Sequence, residues 1–427
     1  MGDFFRLKEY RTDVKTEVMA GITTFLTAAY IVFVNPAILS NTGMDKAALI
    51  TVTCLVSGLA TWLMGLWANA PFMMAPGMGL NAYFAFSLCL GQNVPWQTAL
   101  GVVFLSGVFF LILTWVGIRE RIIESIPANL RLAASVGIGL FITFIGMQNL
   151  KLIVKNDAVL VGLGELTPSV LLGLGGLLLM AVLESRKIKG SILIGILATA
   201  VAGFVLGIAD PPSALVAAPA SPAPVAFHLD IAAAVRPALW AAIFSFMFVD
   251  LFDSLGTMLA VSYEAGRVTE DGKIPGIGRM LTADALATVF GSVLGTSTTT
   301  TYIESAAGVA EGGRTGLTAM VTGALFLLAL FFSPLIGAVP PFATAPALIM
   351  VGLFMIRGIH RIDFQRFDEA LPAFLTIILM PLTYSIATGL LFGFLAYVVL
   401  KVLTGRLGDL NPVLVGIAVL SLIDLLV

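Results

Sequence analysis

Long apolar runs, cut at intervals by small clusters of charge and by Pro or Gly, recur along the whole chain. A helix that crosses a bilayer needs about 20 mostly apolar residues. Windows near 17–35, 47–68, 72–90, 97–118, 130–149, 166–184 and 190–209 meet or approach that length in the first half. From Asp210 to Asp230 the chain turns Pro/Ala-rich, a composition that cannot pack as a helix interior and predicts an exposed connection. Seven more windows follow near 236–260, 279–294, 297–310, 315–332, 343–357, 369–386 and 388–404, with only a tight turn between the last two. The pattern predicts an all-α integral membrane protein of fourteen transmembrane segments: a first repeat over 17–209, an extracytoplasmic loop over 210–235 and a second repeat over 236–404. Residues 1–16 form a polar N-terminal stretch, and the apolar run 411–427 inside the tail 405–427 is left uncounted, as a segment in or on the membrane.

Composition strengthens this picture. The 427 residues are 59% hydrophobic and 11% charged, against about 45–50% apolar and about 25% charged in a soluble domain. A net charge of −2 suggests no nucleic-acid partner. Cys54 and Cys89 lie in apolar runs without CxxC spacing, so they read as small core residues, and no metal set or cofactor is indicated. The basic N-terminus leads into an apolar run with no A-x-A site, so no removable signal peptide is expected.

Charge also predicts orientation, because cytoplasmic loops hold most of the Lys and Arg. With the N-terminus inside, 19 of the 23 basic residues fall on the cytoplasmic side, leaving Lys46, Lys151, Lys155 and Arg236 outside. The expected location is the plasma (inner) membrane. An odd number of crossings per half turns the two halves over relative to each other, the inverted-repeat plan of many secondary transporters. A faint echo between residues 135–147 and 345–356, each with small residues followed by a Gly-Leu-Phe step, agrees with that plan.

Acidic groups inside a span cost about 2.5–3.5 kcal/mol at a helix centre, so each needs a reason. Asp250 and Asp253 stand three apart in the eighth window and share a helical face. Asp284 opens the ninth window and Glu304 lies in the tenth. A buried carboxylate can be purely structural, which suits Asp284 near a span end; Asp253 fits either role, and Asp250 and Glu304 are read as functional.

Windows three and ten are the least helical. The third runs Pro71 to Tyr83 with two prolines and two glycines, and the tenth opens on a β-branched run, Thr298 to Thr301. Each reads as an extended stretch feeding a half-helix. Interrupted crossings at corresponding places in two inverted halves mark a transporter's binding site, where extended stretches can pair and half-helix N-termini face the ligand.

The runs 75–84 (APGMGLNAYF), 250–257 (DLFDSLGT), 283–291 (ADALATVFG) and 298–309 (TTTTYIESAAGV) together resemble the AzgA-like adenine/guanine/hypoxanthine permeases. These form a branch of the nucleobase–cation symporter family that also holds uracil and xanthine permeases, and the similarity spans about residues 4 to 404. The resemblance implies a core domain of segments 1–4 and 8–11, a gate domain of segments 5–7 and 12–14, and a homodimer. It also implies that Asn81, Asp250 and Glu304 bind a purine nucleobase, supported by Gly77, Gly79, Asp253 and Asp284.

The residues are compatible with such a ligand. Carboxylates accept the N–H donors of a flat, neutral purine, an amide such as Asn81 can donate and accept, and Tyr83, Phe252 and Tyr302 could stack on its face or simply pack the core. Uptake against a gradient needs a coupled ion, and a proton on Asp250 or Glu304 would serve. The rivals are a xanthine or uracil permease, or an anion carrier, on the same plan; an anion carrier should present a basic residue at the site. A channel or an intramembrane enzyme is disfavoured, the enzyme because the chain has two histidines and no HExxH or GxSxG motif.

Overall fold

The computed structural model describes residues 4–116, 126–269, 274–412, 414–416 and 418–419. Arg119, Arg121 and Lys273 of the charge count, and residues 413, 417 and 420–427 of the tail, lie outside these. The principal elements, in chain order, are α1 (Val14–Ala28), α2 (Ile31–Leu39), α3 (Lys46–Ala68), β1 (Met74–Pro76), α4 (Met78–Ala82), α5 (Trp96–Val116), α6 (Ala128–Asn149), β2 (Ile153–Asn156) and β3 (Leu160–Leu163). Then come α7 (Pro168–Ser185), α8 (Ser191–Val205), α9 (Trp240–Glu264), α10 (Ile277–Leu294), β4 (Thr299–Thr301), α11 (Ser305–Ala310), α12 (Gly316–Ala329), α13 (Pro341–Ile356), α14 (Phe367–Thr383) and α15 (Ile386–Leu403).

Among the described residues, ten helical stretches are long and apolar enough to cross a membrane. The remaining windows hold shorter helices: Met78–Gly91 and Ser191–Val205, α11 with six residues and α14 with 17. The first crossing is itself interrupted at Ala29 and Tyr30, and Pro36 inside α2 cannot donate to the preceding turn. The Pro/Ala-rich stretch forms no helix between 210 and 230; it lies over neighbouring elements through Ala217 to Phe331, Phe227 to Val293 and Asp230 to Gln97 backbone bonds.

Helix packing falls into two groups. In one, α1, α3 and α12 pack together, α3 and α5 both hold α10, and α5 also meets α9. In the other, α6 packs on α13 and α14, α13 on α7 and α8, and α14 on α15. The two runs that echo each other in sequence pack face to face. A Cβ on Gly139 would lie 2.8 Å from the Gly352 carbonyl, so this approach of α6 to α13 depends on glycine.

Buried charge is handled differently at the ends of helices and in the middle. Glu17, fully buried on α1, accepts from the backbone N–H groups of Arg314 (2.9 Å) and Thr318 (3.1 Å), so it caps α12 from a neighbouring helix. At the other group's end, the buried ammonium of Lys401 donates to Asp368 (2.7 Å), Glu369 (2.8 Å) and Asp409 (2.8 Å), tying α14, α15 and the chain beyond them together. The Lys401 hydrogen bond holds the Asp409 carboxyl below the usual carboxylate range. A depressed pKa contributes stability above the ordinary carboxylate range and loses it as pH falls through the folded value.

Replacing Lys401 with Met leaves three carboxylates facing one another and should cost about 2 kcal/mol, read as a Tm lower by a few degrees at neutral pH in detergent. The wild-type Tm should fall as pH drops below the carboxylate range, and the variant's should fall less. Equal Tm values at neutral pH would show that this cluster is not a stabilising tie.

Candidate functional site

Windows three and ten meet as a short antiparallel pair: Met74 opposite Thr301, Ala75 opposite Thr300, Pro76 opposite Thr299. Beyond the strands, the Gly77 N–H donates to the Thr298 carbonyl (2.8 Å) and the Tyr302 N–H to the Met73 carbonyl (3.0 Å). Side chains complete the edges. The Ser305 hydroxyl accepts from the Met73 N–H (3.0 Å), while the Thr61 hydroxyl accepts from the Met74 N–H (3.0 Å) and donates to its carbonyl (3.1 Å). Both strands are wholly buried, so every pairing replaces a bond to water that the site cannot offer.

Each strand feeds a half-helix. After β1, α4 begins at Met78 and places Asn81 on its first turns; after β4, Glu304 immediately precedes α11. Glu304 accepts a hydrogen bond at Oε1 from the hydroxyl of Tyr30, at the break in the first crossing. Tyr302 and Asp253 lie within electrostatic reach of Glu304. Asp253 is exposed.

Asp250 is in a different environment. It is 1% exposed, its Oδ2 accepts from the Thr288 hydroxyl (3.1 Å) and its Oδ1 has no hydrogen-bond partner. Asp284 accepts from Ser254 (2.7 Å) and Thr301 (3.1 Å), and Ser254, its proton given to Asp284, accepts from the Thr300 hydroxyl at 2.6 Å, so the two acids flank β4 through a web of hydroxyls. Spaced three apart on α9, Asp250 and Asp253 differ in exposure: Asp250 is buried beside the strand pair and Asp253 is exposed. Among the described residues no ion pair involves any of these four acids.

The other expected residues are placed as follows. Asn81 is fully buried; its Nδ2 donates to Asn35 Oδ1 (2.7 Å) and its own Oδ1 has no partner. A Cβ on Gly77 would lie 2.8 Å from Thr300 Cγ2, and one on Gly79 would lie 2.5 Å from Ile138 Cγ2, so these glycines admit close approach to β4 and to α6. Tyr83 packs on Phe246 with ring centroids 4.8 Å apart. Phe252 packs on Phe248 at 4.5 Å, with Arg131 5.9 Å from its ring centroid, and the Tyr302 hydroxyl donates to the Pro76 carbonyl (2.5 Å). All three aromatics thus have protein neighbours.

Sequence reasoning missed Tyr30, Asn35, Thr288 and Ser254. An amide inside an apolar crossing is costly enough to have flagged Asn35; the hydroxyls carry no such signal, since Ser and Thr are common in spans and satisfy themselves on the helix.

Residues 15–392, most of the chain, match the Permease family. The chain belongs to that family. Adenine permease AdeP of Escherichia coli K12 is 45% identical over 99% of this chain and 95% of its own length. Guanine/hypoxanthine permease PbuG of Bacillus subtilis 168 is 44% identical over 99% of each. The resemblance carried by the four motifs is borne out, and the chain is a permease, not an enzyme. Its fold is that of a multi-pass helical membrane transporter: the transmembrane domain of a cyanobacterium bicarbonate transporter, BicA, superposes with a TM-score of 0.66 at 15% identity, covering 88% of this permease and 97% of that domain.

Substituting Gly77 by Ala puts a methyl group onto Thr300 Cγ2 and should cost about 1–3 kcal/mol, seen as a lower Tm. Thr300→Ser removes the opposing methyl and should restore most of the loss in the double variant. A Tm unaffected by Gly77→Ala would mean that the strand pair is not closed at this point.

Proposed function

We propose that this permease takes up purine nucleobases, adenine, guanine and hypoxanthine, by proton-coupled alternating access. The observation that carries the proposal is the gathering of Asn81, Asp250, Asp253 and Glu304 around one buried strand pair. They form a set of hydrogen-bond acceptors suited to a neutral base edged with N–H donors. The names of AdeP and PbuG point to the same ligands. BicA shares only the fold, and the absence, among the described residues, of ion pairs to the four acids speaks against an anion as cargo here.

We read the ten long helices and four shorter ones as fourteen crossings in two inverted halves, with the N-terminus cytoplasmic in the plasma membrane. The two packing groups then correspond to a core domain, segments 1–4 and 8–11, and a gate domain, segments 5–7 and 12–14, with dimerisation through the gate. Asn81, Asp250 and Glu304 bind the purine, with Asp253 and Asp284 supporting them, and Asp250 and Glu304 are the candidate carriers of the coupled proton. Alternating access moves the core against the gate, so the contacts of Gly79 with Ile138 and of Phe252 with Arg131 change during the cycle.

Uptake of labelled adenine, guanine and hypoxanthine in cells lacking their own carriers tests this reading. Asp250→Asn and Glu304→Gln should each reduce uptake more than about tenfold, and Tyr30→Phe should raise KM about tenfold by removing the donor to Glu304. An uncoupler should collapse accumulation. Full transport by both acid variants would refute the site, competition by uracil alone would refute the cargo, and accumulation indifferent to the uncoupler would refute the proton.

A further inference from the structure

The free face of Asn81 is set by a chain of hydrogen bonds that can run in only one direction. It starts at the Leu49 carbonyl on α3, an acceptor with no proton to give. The Thr53 hydroxyl donates to that carbonyl at 2.6 Å and thereby uses its only proton. Thr53 Oγ1 must then accept from its next neighbour, and Asn35 on α2 supplies Nδ2 at 2.8 Å. The same Nδ2 also reaches Thr296 Oγ1 at 3.2 Å. With its NH2 committed, Asn35 turns its Oδ1 toward α4, where Asn81 Nδ2 donates to it at 2.7 Å.

Amide orientations are assigned from such networks, and here the network leaves one answer. Flipping Asn35 would set its oxygen against Thr53 Oγ1, whose proton is already spent, and flipping Asn81 would set two amide oxygens together. Thr53, Asn35, Thr296 and Asn81 are all 0% exposed, so water cannot relieve either clash. Asn81 Oδ1 is left buried and without a partner.

We infer that the Leu49–Thr53–Asn35 relay fixes Asn81 Oδ1 as an acceptor toward the ligand, and that Thr53 and Asn35 are positioning residues for substrate selectivity. An amide free to rotate could turn either end to the ligand; this one has its oxygen held free for a donor. It adds one fixed acceptor to the carboxylates of Asp250, Asp253 and Glu304. Such a site selects its ligand by N–H groups: the ring N–H of any purine base and the exocyclic amino group of adenine or guanine. An analogue that offers an oxygen or a bare ring nitrogen at the matching position is rejected, because two acceptors then face each other in a buried place.

The inference rests on the purine reading of the site, and its test separates the two. Purified permease is assayed by equilibrium binding of labelled adenine, in competition with the purine bearing a methoxy group in place of the amino group and with purine bases methylated at each ring N–H. Wild type should prefer the donor at one or more positions by about 100-fold. Thr53→Val touches no ligand but releases the relay, so at such a position that preference should shrink below about tenfold, while Thr53→Ser retains it. Apo-state Tm values report folding, and if Thr53→Val does not fold, Thr53→Ala against Thr53→Ser carries the same comparison. Wild-type preference at every position in the hydroxyl-free variant overturns the relay. Unchanged adenine binding by Asn81→Leu overturns the placement of the purine itself.

Discussion

The pairing of β1 with β4 is the constraint on which the rest of the site depends. Two crossings stop being helical in the interior of a membrane protein, where an unpaired backbone N–H or carbonyl costs several kcal/mol. Each interruption is tolerable only because the other lies opposite it. Pro76 contributes no N–H, and β-branched Thr299 to Thr301 favour extended backbone, so local sequence prepares both partners. Thr61 and Ser305 close the edges that the pair leaves open. Half-helices must therefore begin deep in the structure, which is how Asn81 and Glu304 come to flank the pair.

The acids around this pair are stabilised without cations. At the far end of α14, Asp368, Glu369 and Asp409 surround a buried Lys401, and charge is balanced by charge. Around β4, Asp250 and Asp284 receive hydroxyl protons from Thr288, Ser254 and Thr301. Asp253 and Glu304 occupy the more accessible side, with Tyr30 ordering one Glu304 oxygen. A single helix, α9, thus serves both environments through residues three apart.

Much of this was legible in the chain. The prolines and glycines of 71–79 and the threonines of 298–301 announced two broken crossings, and the two pair with each other. Asp250, Asp253, Asp284 and Glu304 stood out because charge in an apolar run is expensive. Their partition was not legible: helical periodicity put Asp250 and Asp253 on one face, whereas a turn of a few tens of degrees separates burial from exposure. The orientation of Asn81 was also hidden, since it follows from Thr53 and Asn35, residues distant in sequence whose roles depend on how α2, α3 and α4 meet. The aromatics Tyr83 and Phe252 illustrate the ordinary fate of rings in spans, with Phe246 and Phe248 as their neighbours.

The fold is shared with the transmembrane domain of BicA, a bicarbonate transporter, so architecture alone does not choose the cargo. The cargo proposed for this permease rests on the chemistry at the strand junction: carboxylates, an amide and hydroxyls. A structure of the protein with adenine bound is the most direct measurement of that claim. The base should lie against the ends of β1 and β4, within hydrogen-bond distance of Asn81 Oδ1 and Glu304. Adenine found elsewhere, with the strand junction closed and Asn81 Oδ1 bonded to protein, would contradict it.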